Sequence, residues 1–102
     1  MKTIPEKYMK LLTDKNGFIL FKKKEINDII KLGKEITMKP KKGKQAKGGV
    51  FIIEGNKNLS LDKVRAYAEK LTKHCDDDAH ILWGAVIRSR IRKTKVTPFY
   101  VY

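Results

Sequence analysis

Gly48-Gly49-Val50-Phe51-Ile52-Ile53-Glu54-Gly55, then Asn58-Leu59-Ser60, then Asp76-Asp77-Asp78-Ala79-His80-Ile81-Leu82-Trp83-Gly84-Ala85-Val86-Ile87 is the stretch that decides the fold. Val50 to Ile53 is a short apolar run held between Gly48-Gly49 and Gly55-Asn56, the pattern of a buried strand. Ser60 then offers an oxygen to cap a helix, and Asp62 places negative charge in its first turn, beside the free amides. Leu61, Val64, Ala68, Leu71 and Cys75 follow one another at alternating steps of three and four, which predicts one apolar stripe. Lys63, Arg65, Glu69, Lys70 and Lys73 occupy the wet side. Asp76-Asp77-Asp78 reads as an acidic turn closing the helix, and Ala79 to Ile87 as a second buried strand. Strand, crossover helix and strand in this order form a βαβ unit, with parallel strands and the helix laid over one face of their sheet.

The rest of the chain supports one domain. At 102 residues it can bury a single modest core, and with 41% hydrophobic residues in periodic blocks it has the composition of a folded α/β protein. No apolar run approaches the roughly 20 residues a membrane span needs, and Met1 to Pro5 lacks the apolar stretch of a signal peptide. A cytoplasmic location is therefore expected. The one cysteine, which cannot form an internal disulfide, agrees with a reducing compartment. Charge is the dominant compositional feature: 24 Lys and Arg against 11 Asp and Glu give +13. Such a surface favours nucleic acid, an anionic membrane or an acidic protein, and it also serves solubility and thermostability.

Outward from the βαβ unit, Glu6 to Thr13 carries Tyr8, Met9, Leu11 and Leu12 as one side of a short helix, with Pro5 at its start. Asp14-Lys15-Asn16-Gly17 stops it, making residues 1–16 a helix and turn. Phe18 to Phe21 is an apolar run that suits either a strand or a buried loop. Ile26, Ile29, Ile30, Gly33 and Ile36 mark a helix from Glu25 to Ile36. Residues 39–49 read as an exposed flexible loop in which Lys39, Lys41, Lys42, Lys44 and Lys47 are either an electrostatic finger for anions or a solvated linker. After Ile87, Arg88, Arg90 and Arg92 form a row on one strand face if the strand continues, or the wet turn of a hairpin if it does not. Val96 to Tyr102 closes the chain as a strand, with Pro98 at an edge or where no amide is needed.

The quoted stretch also resembles the C-terminal domain of the FtsZ/tubulin family. Gly49 to Gly55 is similar to that family's Gly-Val-Leu-Val-Asn-Ile-Thr-Gly strand, Leu59 to Val64 to its helix start, and Asp76 to Ala85 to its Asp-x-Asp-Ala-Asn-Ile-Ile-Phe-Gly-Ala strand. Gly17 to Ile26 lies without a gap beside the family's synergy loop, and the resemblance runs from Leu11 onward. It implies a two-layer α/β sandwich: about four strands in a mixed sheet, the Ser60–His74 helix on one face and the Glu25–Ile36 helix beside it. It also implies a filament-contacting segment at Leu20, Lys22, Lys23, Lys24 and Glu25. In the family this loop reaches the nucleotide of the next subunit, and its acids help activate the attacking water. Here Leu20 stands for Asn, Lys22 for the first Asp, and only Glu25 keeps a carboxylate. A lysine cannot orient water or cation as a carboxylate does. The family's helix between two strands is replaced by the basic loop.

No Walker loop, no Gly-Gly-Gly-Thr-Gly nucleotide signature and no Ser/His/Asp spacing occurs, so neither an enzyme nor a cofactor is expected. His74, Cys75, Asp77 and His80 fit no closed zinc pattern. Met9, Met38, Phe18, Phe51 and Trp83 are assigned to the core, while Tyr100 and Tyr102 are available to stack on bases. The expected function is a non-catalytic protein-binding domain that engages or caps an FtsZ- or tubulin-like filament, or another acidic protein. The alternatives are a nucleic-acid-binding module built on Lys39 to Lys47 and Arg88, Arg90 and Arg92, and a homo-oligomer formed through its own sheet edge.

Overall fold

The computed structural model describes residues 3–13 and 21–102. In chain order the elements are α1 (Glu6–Thr13), α2 (Lys23–Ile30), β1 (Ile36–Thr37), β2 (Ala46–Gly55), α3 (Leu61–Thr72), β3 (Cys75–Ile87) and β4 (Lys95–Val101). The four strands form one sheet in the order β1-β4-β2-β3. β2 and β3 are parallel and joined by α3, whereas β4 runs antiparallel to both β2 and β1. This is the expected α/β fold with a four-stranded mixed sheet and three helices. No helix among the described residues is long and apolar enough to cross a membrane.

β2 is central because its residues can be buried on both faces. Every one of its residues except Lys47 is buried, and a continuous apolar run is what a strand covered on both sides requires. Successive side chains point to opposite faces, and the packing follows that alternation. Val50 and Ile52 join Leu12, Ile26, Ile29, Ile30, Phe99 and Val101 on one side. Phe51 meets Tyr100, Cys75 and the partly buried Leu71 on the other. α1 and α2 therefore cover one face and α3 the opposite one, so α2 does not lie beside α3. Edge-to-face ring pairs fix both layers, Tyr8 on Phe99 at 5.2 Å and Phe51 on Tyr100 at 5.6 Å.

Several boundaries differ from those expected. β2 begins at Ala46, not Val50, because pairing to β4 carries the glycines into the ladder. α2 ends at Ile30, and Ile36 sits on β1 opposite Val101. Gly33 is the reason the chain turns there. A Cβ on it would lie 2.3 Å from the Tyr102 carbonyl oxygen, the atom that accepts from the amides of Lys34 and Glu35. Asp76-Asp77-Asp78 belongs to β3 and not to a turn. Between the Ala46–Cys75 and Gly48–His80 pairs, residues 76–79 stand against Lys47 alone, so the acids ride a bulge.

Cys75 is buried, but as the first residue of β3 and not as part of the helix stripe. At the other end of that stripe Leu61 is 65% exposed, and Leu59 takes its place by lying against Gly55. Ser60 does cap α3, accepting from the Lys63 amide at 3.2 Å. Of the residues assigned to the core, Phe51 is buried on the α3 side, and Met9 packs from the rim against the cluster on the opposite face. Trp83 and Met38 are 39% and 42% exposed. Among the described residues β3 has a strand on one side only, and Trp83 is uncovered there. Phe18 and Leu20 lie outside the described residues. Pro98 pairs with Phe51 past the end of the two-residue β1, where β4 has an open side.

Gly33→Ala should cost about 1–3 kcal/mol through overpacking against backbone. At about 4–8 °C per kcal/mol in a domain of this size, a thermal melt would show a clear drop, whereas Gly43→Ala, with open space around its Cβ position, should lose only the smaller penalty of its positive φ.

Candidate functional site

At the start of α2 Phe21 is buried, and its amide donates to the Leu12 carbonyl at 3.2 Å, tying α2 to the end of α1. Lys22, Lys23, Lys24 and Glu25 follow, all exposed. Lys22 is extended (φ −77°, ψ 145°), and its amide donates to Glu25 Oε2 at 3.3 Å. This is the returning half of a capping box. Glu25 thus satisfies its own helix terminus. Three ammonium groups sit where the helix dipole is already positive, an arrangement that suits an anion approaching from outside. Leu20 lies outside the described residues.

The arginines after β3 form a turn, not a row. The strand ends at Ile87; the Arg88 amide makes the last ladder bond, to the Gly55 carbonyl at 2.8 Å. Asn56 Nδ2 holds the far side of the turn by donating to the Ile91 carbonyl at 3.2 Å. Arg88 Nε lies 2.8 Å from Glu54 Oε2. Glu54 is a buried carboxylate on the central strand, so Arg88 has a structural duty that Arg90 and Arg92 do not share. The sequence held the clue: a carboxylate closing an apolar run calls for a cation nearby. Arg88 also lines an open groove of about 440 Å³ with Lys7, Lys10, Leu11 and Thr13. The groove lies between α1 and the arginine turn, and α1 is in turn tied to the start of α2 by the Phe21–Leu12 hydrogen bond.

The lysine loop is shorter and better anchored than its composition suggests. Lys47 lies on β2. The Lys41 amide donates to the Tyr102 hydroxyl at 2.8 Å, and its ammonium pairs with the Glu35 carboxylate. The hydrogen bond from Lys41 holds the Glu35 carboxyl below the usual carboxylate range. Lys41, Lys42 and Lys44 meet Lys73 and His74 around a groove of about 430 Å³. Lys39 is fixed by its amide, which donates to Thr37 Oγ1 at 3.2 Å. This loop precedes Ala46, whereas the arginine turn follows the strand that ends beside Gly55. Ten residues of β2, about 30 Å at the usual rise per residue, separate the two clusters. They lie at opposite ends of the central strand.

Tyr100 is buried and cannot stack on a base, and Tyr102 is half-buried with its hydroxyl engaged. Among the described residues no three His, Cys, Asp or Glu side chains converge as a metal site. Burial pushes the Cys75 thiol up to about 11, with help from the Asp76 charge. Burial likewise pushes the Tyr100 hydroxyl up to about 12, with Cys75 and Tyr102 adding to it.

Replacing Arg88 with Ala leaves the Glu54 carboxylate buried without its partner and should cost about 1–3 kcal/mol. In a double-mutant cycle on melting temperature, Glu54→Gln should recover part of that loss, whereas Arg90→Ala should be silent. Since both raised groups ionise more readily in the unfolded chain, their stabilisation is complete below pH 9.0, the ordinary thiol value, and is lost as pH rises to about 12. Melting temperature should accordingly fall over that range, with a shallower slope in Cys75→Ala.

A family model for the C-terminal domain of the FtsZ family matches residues 35–98. Among proteins with curated descriptions, none matches the sequence. Two solved structures from M. jannaschii are similar in fold. An empty FtsZ dimer superposes with a TM-score of 0.67 at 18% identity, over 92% of this chain and 34% of its own. A single-site FtsZ mutant gives 0.68 at 18% identity, over 93% of this chain and 36% of its own. The chain therefore spans about a third of the length of either. Because the family model covers more than half of its residues and the sheet order and crossover agree with that fold, this chain belongs to the FtsZ family, through its C-terminal domain.

Proposed function

We propose that the chain is a non-catalytic protein-binding domain that docks on an FtsZ- or tubulin-like filament of the division or cytoskeletal machinery and caps its end. The observation that carries this reading is the start of α2. Where the resembled synergy loop presents acids to the neighbouring subunit, this chain presents exposed Lys22, Lys23 and Lys24, and its one carboxylate there, Glu25, is turned back on the helix terminus. Lysines suit an acidic surface or a phosphate and cannot activate water as a general base. Lys7, Lys10 and Arg88 add cations around a groove on α1, the helix to which the start of α2 is tied. A subunit that binds there through this lysine-bearing surface occupies the filament end without supplying the acids that activate the attacking water. The second reading, nucleic-acid binding, has the Lys41, Lys42, Lys44 and Lys73 groove in its favour. Its two basic clusters lie about 30 Å apart, at opposite ends of β2.

Sedimentation of polymers of FtsZ from the same host tests the proposal. Substoichiometric amounts of this chain should lower both polymer mass and GTP turnover, and exchanging Lys22, Lys23 and Lys24 for Glu should weaken the effect at least tenfold. Unchanged polymer mass and turnover at equimolar chain would overturn it.

A further inference from the structure

β3 is one of the two edges of the sheet, with β2 on one side and no strand on the other among the described residues. Its regular part, His80 to Ile87, is paired to β2 without interruption. The Arg88 amide donates to Gly55, and the His80 carbonyl oxygen lies beside Gly48. Even-numbered residues thus turn their backbone groups toward β2. Those of Ile81, Trp83, Ala85 and Ile87 must point to the open side.

Natural edges are usually blocked with lysine, proline or a bulge. This chain has 24 Lys and Arg in 102 residues, yet the thirteen residues of β3 contain none. Its bulge and its acids, Asp76 to Asp78, lie at one end only. From Ile81 to Ile87 the edge is uncharged, and the same sheet face carries the exposed Trp83 and Ile87. The other end runs straight into the basic turn Arg88-Ser89-Arg90-Ile91-Arg92-Lys93.

We propose that β3 is a self-association edge: two copies of this chain pair antiparallel through Ile81–Ile87 about a two-fold axis at Trp83, each setting its acidic end against the basic turn of the other. Over the regular part of the strand the register is consistent. A two-fold axis at Trp83 pairs Ile81 with Ala85, so odd residues meet odd residues and the outward amides and carbonyls face each other. It brings the acidic stretch Asp76–Asp78 of one copy to the end where the other copy's basic turn, with Arg90 and Arg92, follows its strand. A parallel arrangement would set acid against acid. The interface is isologous, as a closed dimer requires, and it would cover the exposed indole. Each copy carries +13, which opposes association over long distances. At about 0.15 M salt the screening length is about 8 Å, so this general repulsion fades while pairs in contact persist.

Sedimentation velocity of the chain alone, from micromolar to millimolar concentration at about 0.15 M salt, should show a monomer–dimer equilibrium. Ala85→Pro removes an outward amide that β2 does not use and should weaken the dimer at least tenfold with circular dichroism unchanged. Arg90→Asp with Arg92→Asp should weaken it comparably, and adding Asp76→Arg with Asp78→Arg should restore it. The charge variants decide the matter should the proline variant fail to fold. A chain that stays monomeric at millimolar concentration overturns the proposal, and so does a dimer indifferent to the charge reversals. No filament protein enters the assay, so its result is independent of the capping function.

Discussion

The structure depends on one strand being dry on both faces. β2 runs through the middle of the sheet with Val50, Phe51, Ile52 and Ile53 fully buried. Each such side chain is worth about 1.5–3 kcal/mol when taken out of water. Together the four are of the order of the whole net stability of a small domain, about 5–15 kcal/mol. A strand of this kind cannot be an edge, so β3 and β4 must flank it, and neither of its faces can stay open. α3 is drawn over one face by the short crossover to β3. α1 and α2 are drawn over the other because Val50 and Ile52 require it.

This constraint also explains what the sequence revealed and what it hid. The apolar run, the Ser60 cap and the α1 stripe were legible because each is a local pattern with a local physical cause. The length of β2 was not: Ala46 to Gly49 has poor strand propensity, and only its partners in the sheet hold it extended. Asp76 to Asp78 looked like a turn because three carboxylates are unfavourable in a buried strand. They are tolerated in β3 because that strand is an edge and bulges where they lie. Trp83 looked like core for the complementary reason, since an apolar residue in a strand pattern does not announce that one side of the strand is open. The face taken by α2 was hidden too, because the period-two alternation of β2 is invisible when both sets of residues are apolar.

At the site, composition revealed cations but not their duties. Arg88 is held by Glu54 and Lys41 by Glu35, two partnerships separated in sequence by 34 and 6 positions that no local pattern displays. Glu25, the one acid retained where the resembled loop has two, spends its carboxylate on the Lys22 amide. The tyrosines offered as stacking groups serve the sheet instead, Tyr100 inside it and Tyr102 against the lysine loop.

The charge that remains has a spatial order. Among the described residues two ion pairs use two of the cations, so most of the 24 lysines and arginines face solvent and hold counterions. Contacts made by that surface with an anionic partner release those counterions and must weaken with salt. Contacts made through β3 belong to a different class. They would rest on backbone hydrogen bonds and on a strand that the chain has kept free of lysine and arginine, and salt would act on them only through the charged ends. The cationic surface beside α1 and the uncharged edge of β3 meet at the arginine turn, where Arg88 is already committed to Glu54.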